Sequence, residues 1–358
     1  MTRVEDNPAW AQGLNGNLLP WLLEEEAPAV KHLALLQLCD RPEDDPDVRL
    51  ASAQAMQAKP IASILAAQQP QGYWLEPGPG YSPKYRATVW QLIFLDQLGA
   101  DASDARVQLA CEYVLAHTQA DSGGFSASID KSEQAPTASS VIHCLNGNLL
   151  RALIGFGFLE DERVQRAISW QARSITGEGM ERYYASGTSG PGFACGHNDG
   201  LACAWGAIKA LLALARIPVE RRTALVDRAI AEGSAFLLSR DPADADYPMG
   251  RDNTEPSGLW FKPGFPSSYV ADVLQNLEAL CELGFGADTR LRRALGWLLD
   301  KQDEMGRWRN ENAYNGRTWT VFERQGRPSR WVTLRACRVL KMVHEAGGET
   351  VLADRVRH

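Results

Sequence analysis

Apolar residues along this chain recur with helical periodicity, and the helices they mark come in two kinds. Segments 88–98, 140–155, 199–216, 268–283 and 331–345 are apolar on nearly every face, as in the run from Thr88 to Leu95. Segments 104–117, 161–173, 220–238 and 290–301 instead carry an apolar stripe opposite a charged face. The first pattern marks buried helices and the second amphipathic ones with a solvent side. Strand-like alternation is almost absent, so the pattern predicts an all-α fold. Ahead of these pairs, residues 9–38 read as helix with Pro28 early in it. The turn-rich stretch 41–47 then breaks the chain, Asp47 serves as an N-cap, and helix resumes to Gln69 around Pro60.

Between the helices a phrase returns every fifty to sixty residues or so. Its clear copies are Gln69-Pro-Gln-Gly-Tyr-Trp74, Gln119-Ala-Asp-Ser-Gly-Gly-Phe125 and Gln302-Asp-Glu-Met-Gly-Arg-Trp308. Weaker echoes lie at Trp170-Gln171 and before Tyr247. Self-similarity of this kind means one supersecondary unit used repeatedly, each unit needing its neighbours to bury its apolar face. The unit here is a helical hairpin. Six in a ring give an (α/α)6 toroid: an inner barrel of apolar helices, an outer polar one, and a central cavity. Units run from about residue 30 to about 345 without a linker, so 1–358 is expected to be one domain despite its length. The loops 176–198 and 241–266 are unusually long and are expected to form lids or binding loops at one mouth of the ring.

Bulk composition narrows the function. A net charge of −7 and a pI near 5.5 argue against a nucleic-acid or anionic-membrane partner. The apolar run 201–215 is interrupted by Lys209 and too short to span a bilayer, and the N-terminal residues lack the apolar core of a signal peptide. Seven cysteines in no regular framework point to reduced thiols in a cytoplasmic protein. Oligomeric state stays open.

The Gln-Gly-aromatic phrases with helices between them resemble the repeats of the prenyltransferase and squalene-cyclase superfamily, from about Pro60 to Lys341. The resemblance is closest to small bacterial prenyltransferase/squalene-oxidase-repeat proteins, particularly through Lys301–Trp308, Asn315-Gly-Arg317 and Pro328–Ala336. It implies the toroid and a bulky apolar, isoprenoid-like substrate in its centre. Two departures limit what it implies about the reaction. The Asp-x-Asp-Asp acid of class II terpene cyclases is missing, its nearest strings being Asp244-Ala-Asp-Tyr247 and Glu43-Asp-Asp-Pro46 in proline-bearing loops. The Asp-Asp-x-x-Asp type of magnesium-diphosphate motif is missing too.

In a toroid the first turn of each inner helix borders the cavity. Those turns fall at 81–88, 140–146, 195–203, 265–272 and 329–333, and every His or Cys between 130 and 270 lies in the second or third of them. Cys195-Gly-His-Asn-Asp-Gly-Leu-Ala-Cys203 places two thiols, an imidazole and a carboxylate together, with Asp199 and Cys203 on one face of a helix at i, i+4. Cys195 and His197 precede that helix, where its dipole lowers a thiol pKa. His143-Cys144 sits at the equivalent place one repeat earlier. Each has a plainer reading: Cys203 as small core residue, Asp199 as N-cap, His143 as hydrogen-bonded core histidine.

Two chemistries fit. In the first, a lyase, isomerase or cyclase moves protons without metal, with His143 and Asp199 as the acid–base pair, Cys195 and Cys203 assisting and His197 orienting. Tyr81, Tyr85, Trp90, Trp205, Tyr269 and Trp331, with Cys144, Asn146 and Asp272, then hold a terpenoid or similar apolar substrate, the ring faces stabilising positive charge. In the second, Cys, His and Asp ligate zinc in a prenyltransferase-like transferase. A non-catalytic toroid that binds lipid or peptide is the third possibility. Lys84, Arg86, Arg330 and Arg335 could meet an anionic group. Trp74 and Trp308 are expected to tie hairpins together and to serve stability.

Overall fold

The computed structural model describes residues 8–130, 132, 135–180, 189–250 and 253–348. Residues 181–188 of the first long loop, 251–252 of the second, and both chain ends lie outside the described residues. The helices are α1 (Leu19–Leu22), α2 (Pro28–Gln37), α3 (Pro46–Gln57), α4 (Ile61–Ala66), α5 (Thr88–Gln97), α6 (Ala105–His117), α7 (His143–Gly155), α8 (Glu162–Thr176), α9 (Ala204–Ala215), α10 (Ala224–Leu237), α11 (Val273–Glu282), α12 (Arg292–Asp300) and α13 (Arg330–Glu345). Among the described residues the only paired strands are Ile129–Asp130 against Ala135–Pro136. The fold is all-α.

Several boundaries differ from expectation. The stretch 9–38 is a short 3-10 turn, α1 and α2, broken where Gly13 takes a left-handed φ and Pro20 enters a first helical turn. The cap of α3 is Asp45, which accepts the Asp47 N–H, because Pro46 fills the first helical position with φ already helical. The inner helices α7, α9 and α11 start three to five residues later than expected, at His143, Ala204 and Val273. Their approaches are extended and paired, with Val141 bridged to Ser126 and Ala202 to Ala194.

Three of the four amphipathic helices, α6, α8 and α12 with the 3-10 turn that leads into it, share one start, while α10 opens on Thr223. Asp104, Asp161 and Asp288 each accept the N–H two residues on, and an Arg at that position returns its Nε to the same carboxylate. Asp satisfies an orphan donor there and complements the helix dipole. The apolar helices pack in succession, α5 on α7, α7 on α9, α9 on α11, α11 on α13, and α13 reaches α2. The contact of α7 with α9 is close enough that a Cβ on Gly147 would fall 2.5 Å from the Lys209 carbonyl carbon.

The recurring phrase is a joint. Gln68, Gln119 and Gln302 donate Nε2 to the carbonyls of Gly72, Gly123 and Gly306, four residues on in each case. In the first two copies the same amide also reaches the next outer helix, at Arg106 and Arg163. The first copy uses Gln68, one residue before the Gln that opens the phrase by eye. Gly123 sits at φ +96° with its Cα against the Arg166 carbonyl, where a Cβ would lie 2.9 Å from that oxygen. Trp74 and Trp308 are fully buried, and each donates its indole N–H to the carbonyl ten residues back, Ile64 and Leu298. Their backbone N–H groups go to Thr88 and Thr333 on the following apolar helix. The first copy thus ties α4, α5 and α6 together.

Candidate active site

Segment 189–203 doubles back on itself before α9. Cys195 N–H donates to Leu201 O at 3.1 Å and Cys203 N–H to Phe193 O at 2.9 Å, with Ala194 opposite Ala202. Asn198 pins the turn: its Nδ2 donates to Ala202 O and Pro248 O, and its Oδ1 accepts Gly250 N–H at 2.9 Å. Asp199 and Gly200 are both left-handed, at φ 53° and 77°. Two such residues in a row end any helix, so α9 begins only at Ala204 and Cys203 becomes its N-cap residue. The expected shared helix face of Asp199 and Cys203 therefore does not exist. Asp199 is exposed and outside the cavity lining.

The cavity itself measures about 840 Å³. Tyr81, Ile142, His143, Cys144, Cys195, His197, Cys203, Trp205 and Tyr269 all line it, from four successive chain segments, as the first-turn argument anticipated. Lys84, Asn198, Met249 and Glu255 line it as well. The second long loop supplies the last two, which carried no sequence signal. Lys84 holds its ammonium 4.2 Å from the Tyr269 ring centroid and 5.8 Å from that of Tyr81. The Trp205 indole N–H is buried and has no hydrogen-bond partner among the described residues.

The three thiols differ in protonation. The adjacent Cys203 thiol first, and then the backbone N–H groups of His197 and Asn198, favour the charged form of Cys195. Together they outweigh burial and bring Cys195 down to about 6. Cys203 is pushed well above its ordinary value by the neighbouring Cys195 and by burial. Burial raises Cys144 to about 12. Of the three, Cys195 gives up its proton most readily.

His143 plays a different part from the one expected. It is fully buried, its Nε2 lies 3.0 Å from Gly190 O, and its Nδ1 accepts Gln171 Nε2 at 3.0 Å. The carbonyl fixes the proton on Nε2. Both ring nitrogens are used by the protein, and burial lowers the pKa to about 4. Gln171 in turn accepts from Asn146, whose Oδ1 takes the Phe125 N–H. His143 and Asn146 thus belong to the joint that carries the weaker Trp170-Gln171 echo. Both ring nitrogens of His143 and the Asn146 amide are thereby engaged within the protein.

Four other expected contacts move as well. Tyr85 and Trp90 stand behind the wall, Trp90 donating to Tyr81 O at 2.7 Å and Tyr85 stacking on Tyr314 at 4.2 Å. Asp272 caps α11, accepting from Gln275 N at 2.8 Å and Gly264 N at 3.2 Å. Trp331 stacks flat on Phe265 at 4.4 Å and lines a second cavity of about 380 Å³. Arg335, set down as an anion contact, lines that cavity too. It binds Glu278 with Nε and Nη2, and Arg338 shares the carboxylate. Burial alone would raise Glu278, and these two guanidiniums hold it at about 2. Fully buried Lys209, lowered to about 7 by desolvation, donates to Gln275 on the wall of this second cavity and neighbours Cys144 on the wall of the first. Asp244 makes an exposed ion pair with Arg293.

Among the described residues no group of three or more His, Cys, Asp or Glu is arranged to hold a metal. No helix among the described residues is long and apolar enough to cross a membrane.

No protein-family model and no curated protein matches the chain. The chain is similar to the solved structure of type II terpene cyclase MstE from Scytonema, at 17% identity over 90% of this chain and 89% of that one, with a TM-score of 0.45. A variant of that enzyme bound to geranylgeranyl dihydroxybenzoate gives 16%, 90%, 87% and 0.46. A protein from Actinoplanes gives 16%, 82%, 99% and 0.32. Likenesses this distant fix no activity.

Proposed function

We propose that the chain is one α/α toroid domain acting as a metal-independent lyase, isomerase or cyclase on a terpenoid or similar apolar small molecule. Support for the ring is the succession α5, α7, α9, α11, α13 and α2, with Gly99 at the end of α5 set against Leu33 of α2. The reaction reading is carried by one observation: Cys195 and Cys203 stand together in the wall of an aromatic cavity of about 840 Å³, and the thiol of Cys195 is the one whose proton is held least firmly. Small-molecule sites run to roughly 300–1,000 Å³, mostly apolar with few polar groups.

In this reading Cys195 takes a proton from substrate and Cys203 stabilises the thiolate by donating to it. A general base near operating pH contributes about 10²–10⁴-fold. Tyr81, Trp205 and Tyr269 grip the apolar body and face developing positive charge. The Cys-rich wall suits a reducing, cytoplasmic setting.

The test is deuterium exchange. Mono-, sesqui- and diterpenoid alkenes and carbonyls are incubated with protein in D₂O containing a chelator and followed by mass spectrometry. Label entering or isomerising one compound, lost by at least about 10²-fold in Cys195→Ser and unaffected by the chelator, is the expected result. Exchange abolished by the chelator, or unchanged in Cys195→Ser, would end this reading.

A further inference from the structure

Cys195 and Cys203 have a second capacity that acid–base work does not use. Both residues line one cavity, and each sulfur shifts the protonation of the other. The doubled-back backbone holds them together locally, through the Cys195–Leu201 and Cys203–Phe193 hydrogen bonds. Between them lies the turn that Asn198 pins, with Gly196 and Gly200 at its ends, so the two cysteines stay on adjacent backbone runs. A thiolate beside a neutral thiol is the pairing a two-electron oxidation needs, since the first attacks and the second resolves.

We propose that Cys195 and Cys203 form a redox dithiol that reduces an apolar organic hydroperoxide admitted to the aromatic cavity. The Cys195 thiolate attacks the terminal peroxide oxygen. The O–O bond breaks, and the leaving alkoxide takes a proton from water to become an alcohol. Cys195 is then a sulfenic acid. The Cys203 sulfur attacks it, the S–O bond breaks, and water leaves with the Cys203 proton. Two electrons have passed from the two sulfurs to the peroxide, and a disulfide joins them. Cys144, on the same wall, stays a thiol because burial holds its proton. Tyr81, Ile142, Trp205 and Tyr269 select an apolar body over hydrogen peroxide. This inference needs the cavity and the sulfur pair and does not depend on the acid–base reaction.

The experiment uses the whole reduced chain, freed of reductant and given substoichiometric cumene hydroperoxide. Two thiols should be lost per hydroperoxide consumed, titrated after denaturation from the seven the chain contains. Both residues fall in the tryptic peptide between Arg182 and Lys209, which carries no other cysteine, so that peptide should lose two hydrogens in mass. The rate should fall as pH drops through about 6, where Cys195 gains its proton. Cys203→Ser should stop at the sulfenic acid, trapped on Cys195 by dimedone, and Cys195→Ser should consume hydroperoxide at least about tenfold more slowly. Thiol loss at Cys39 or Cys144 instead, or Cys195→Ser as fast as wild type, overturns the dithiol. Hydrogen peroxide reacting as fast as cumene hydroperoxide overturns the apolar substrate class. Should Cys195→Ser fail to fold, the wild-type peptide mass and the dimedone adduct still decide.

Discussion

Replacing Trp308 by alanine should cost the fold several kcal/mol while leaving the cavity chemistry alone. The indole is fully buried, its Nε1 donates to Leu298 O at 2.7 Å, and its backbone carries the joint between α12 and α13 through Thr333. Buried Trp→Ala changes cost about 3–5 kcal/mol. Independently, 150–250 Å² of aromatic surface at about 25 cal/mol/Å² gives roughly 4–6 kcal/mol. Taking about 4–5 kcal/mol and an unfolding entropy near 2.1 cal/mol/K per residue, the midpoint should drop by about 5–7 °C. Scanning calorimetry at one fixed scan rate reads this directly. Met305 lies in the same phrase but is 62% exposed, so Met305→Ala should move the midpoint by about 1 °C at most. A Trp308→Ala shift no larger than that control would refute the joint. So would unchanged stability with altered Cys195 reactivity, which would tie the phrase to the site.

Gly123→Ala adds a Cβ at left-handed φ, 2.9 Å from the Arg166 carbonyl oxygen, and should cost about 2–4 kcal/mol. Gly316→Ala, at φ +77° with nothing within 4 Å, should show only the strain of about 1–2 kcal/mol; equal losses in the two would mean the close approach does not matter. His143 has a folded pKa near 4 against an ordinary 6.5, so the unfolded chain binds the extra proton between those values. Its contribution is full above about 6.5 and is lost as pH falls toward 4. Urea unfolding from pH 7 to pH 4 should therefore show a steeper decline in wild type than in His143→Gln, and parallel curves would contradict a neutral buried imidazole.

Helix identity was legible because it depends on local periodicity, and the joints because a Gln four residues before a Gly leaves its mark in the chain. Helix starts were not. The apolar residues before His143, Ala204 and Val273 look helical by composition, yet residues such as Val141 and Ala202 pair with chain segments far from any helix period. The site was legible as a place and not as a mechanism. First turns of successive apolar helices do converge on one cavity, which brought Cys144, Cys195, His197 and Cys203 together. The duties of His143 are set by Gln171 and Gly190, 28 and 47 residues away, and no local pattern reveals such partners. Asp199 misled because a left-handed Asp-Gly pair and the first turn of a helix share the same small polar residues.

Lys209 of α9 is buried and donates to Gln275 on the wall of the arginine-lined cavity. One helix, α9, borders both spaces, with Trp205 and Gly206 in the first and Leu212 in the second, so a displacement of that helix reshapes both at once.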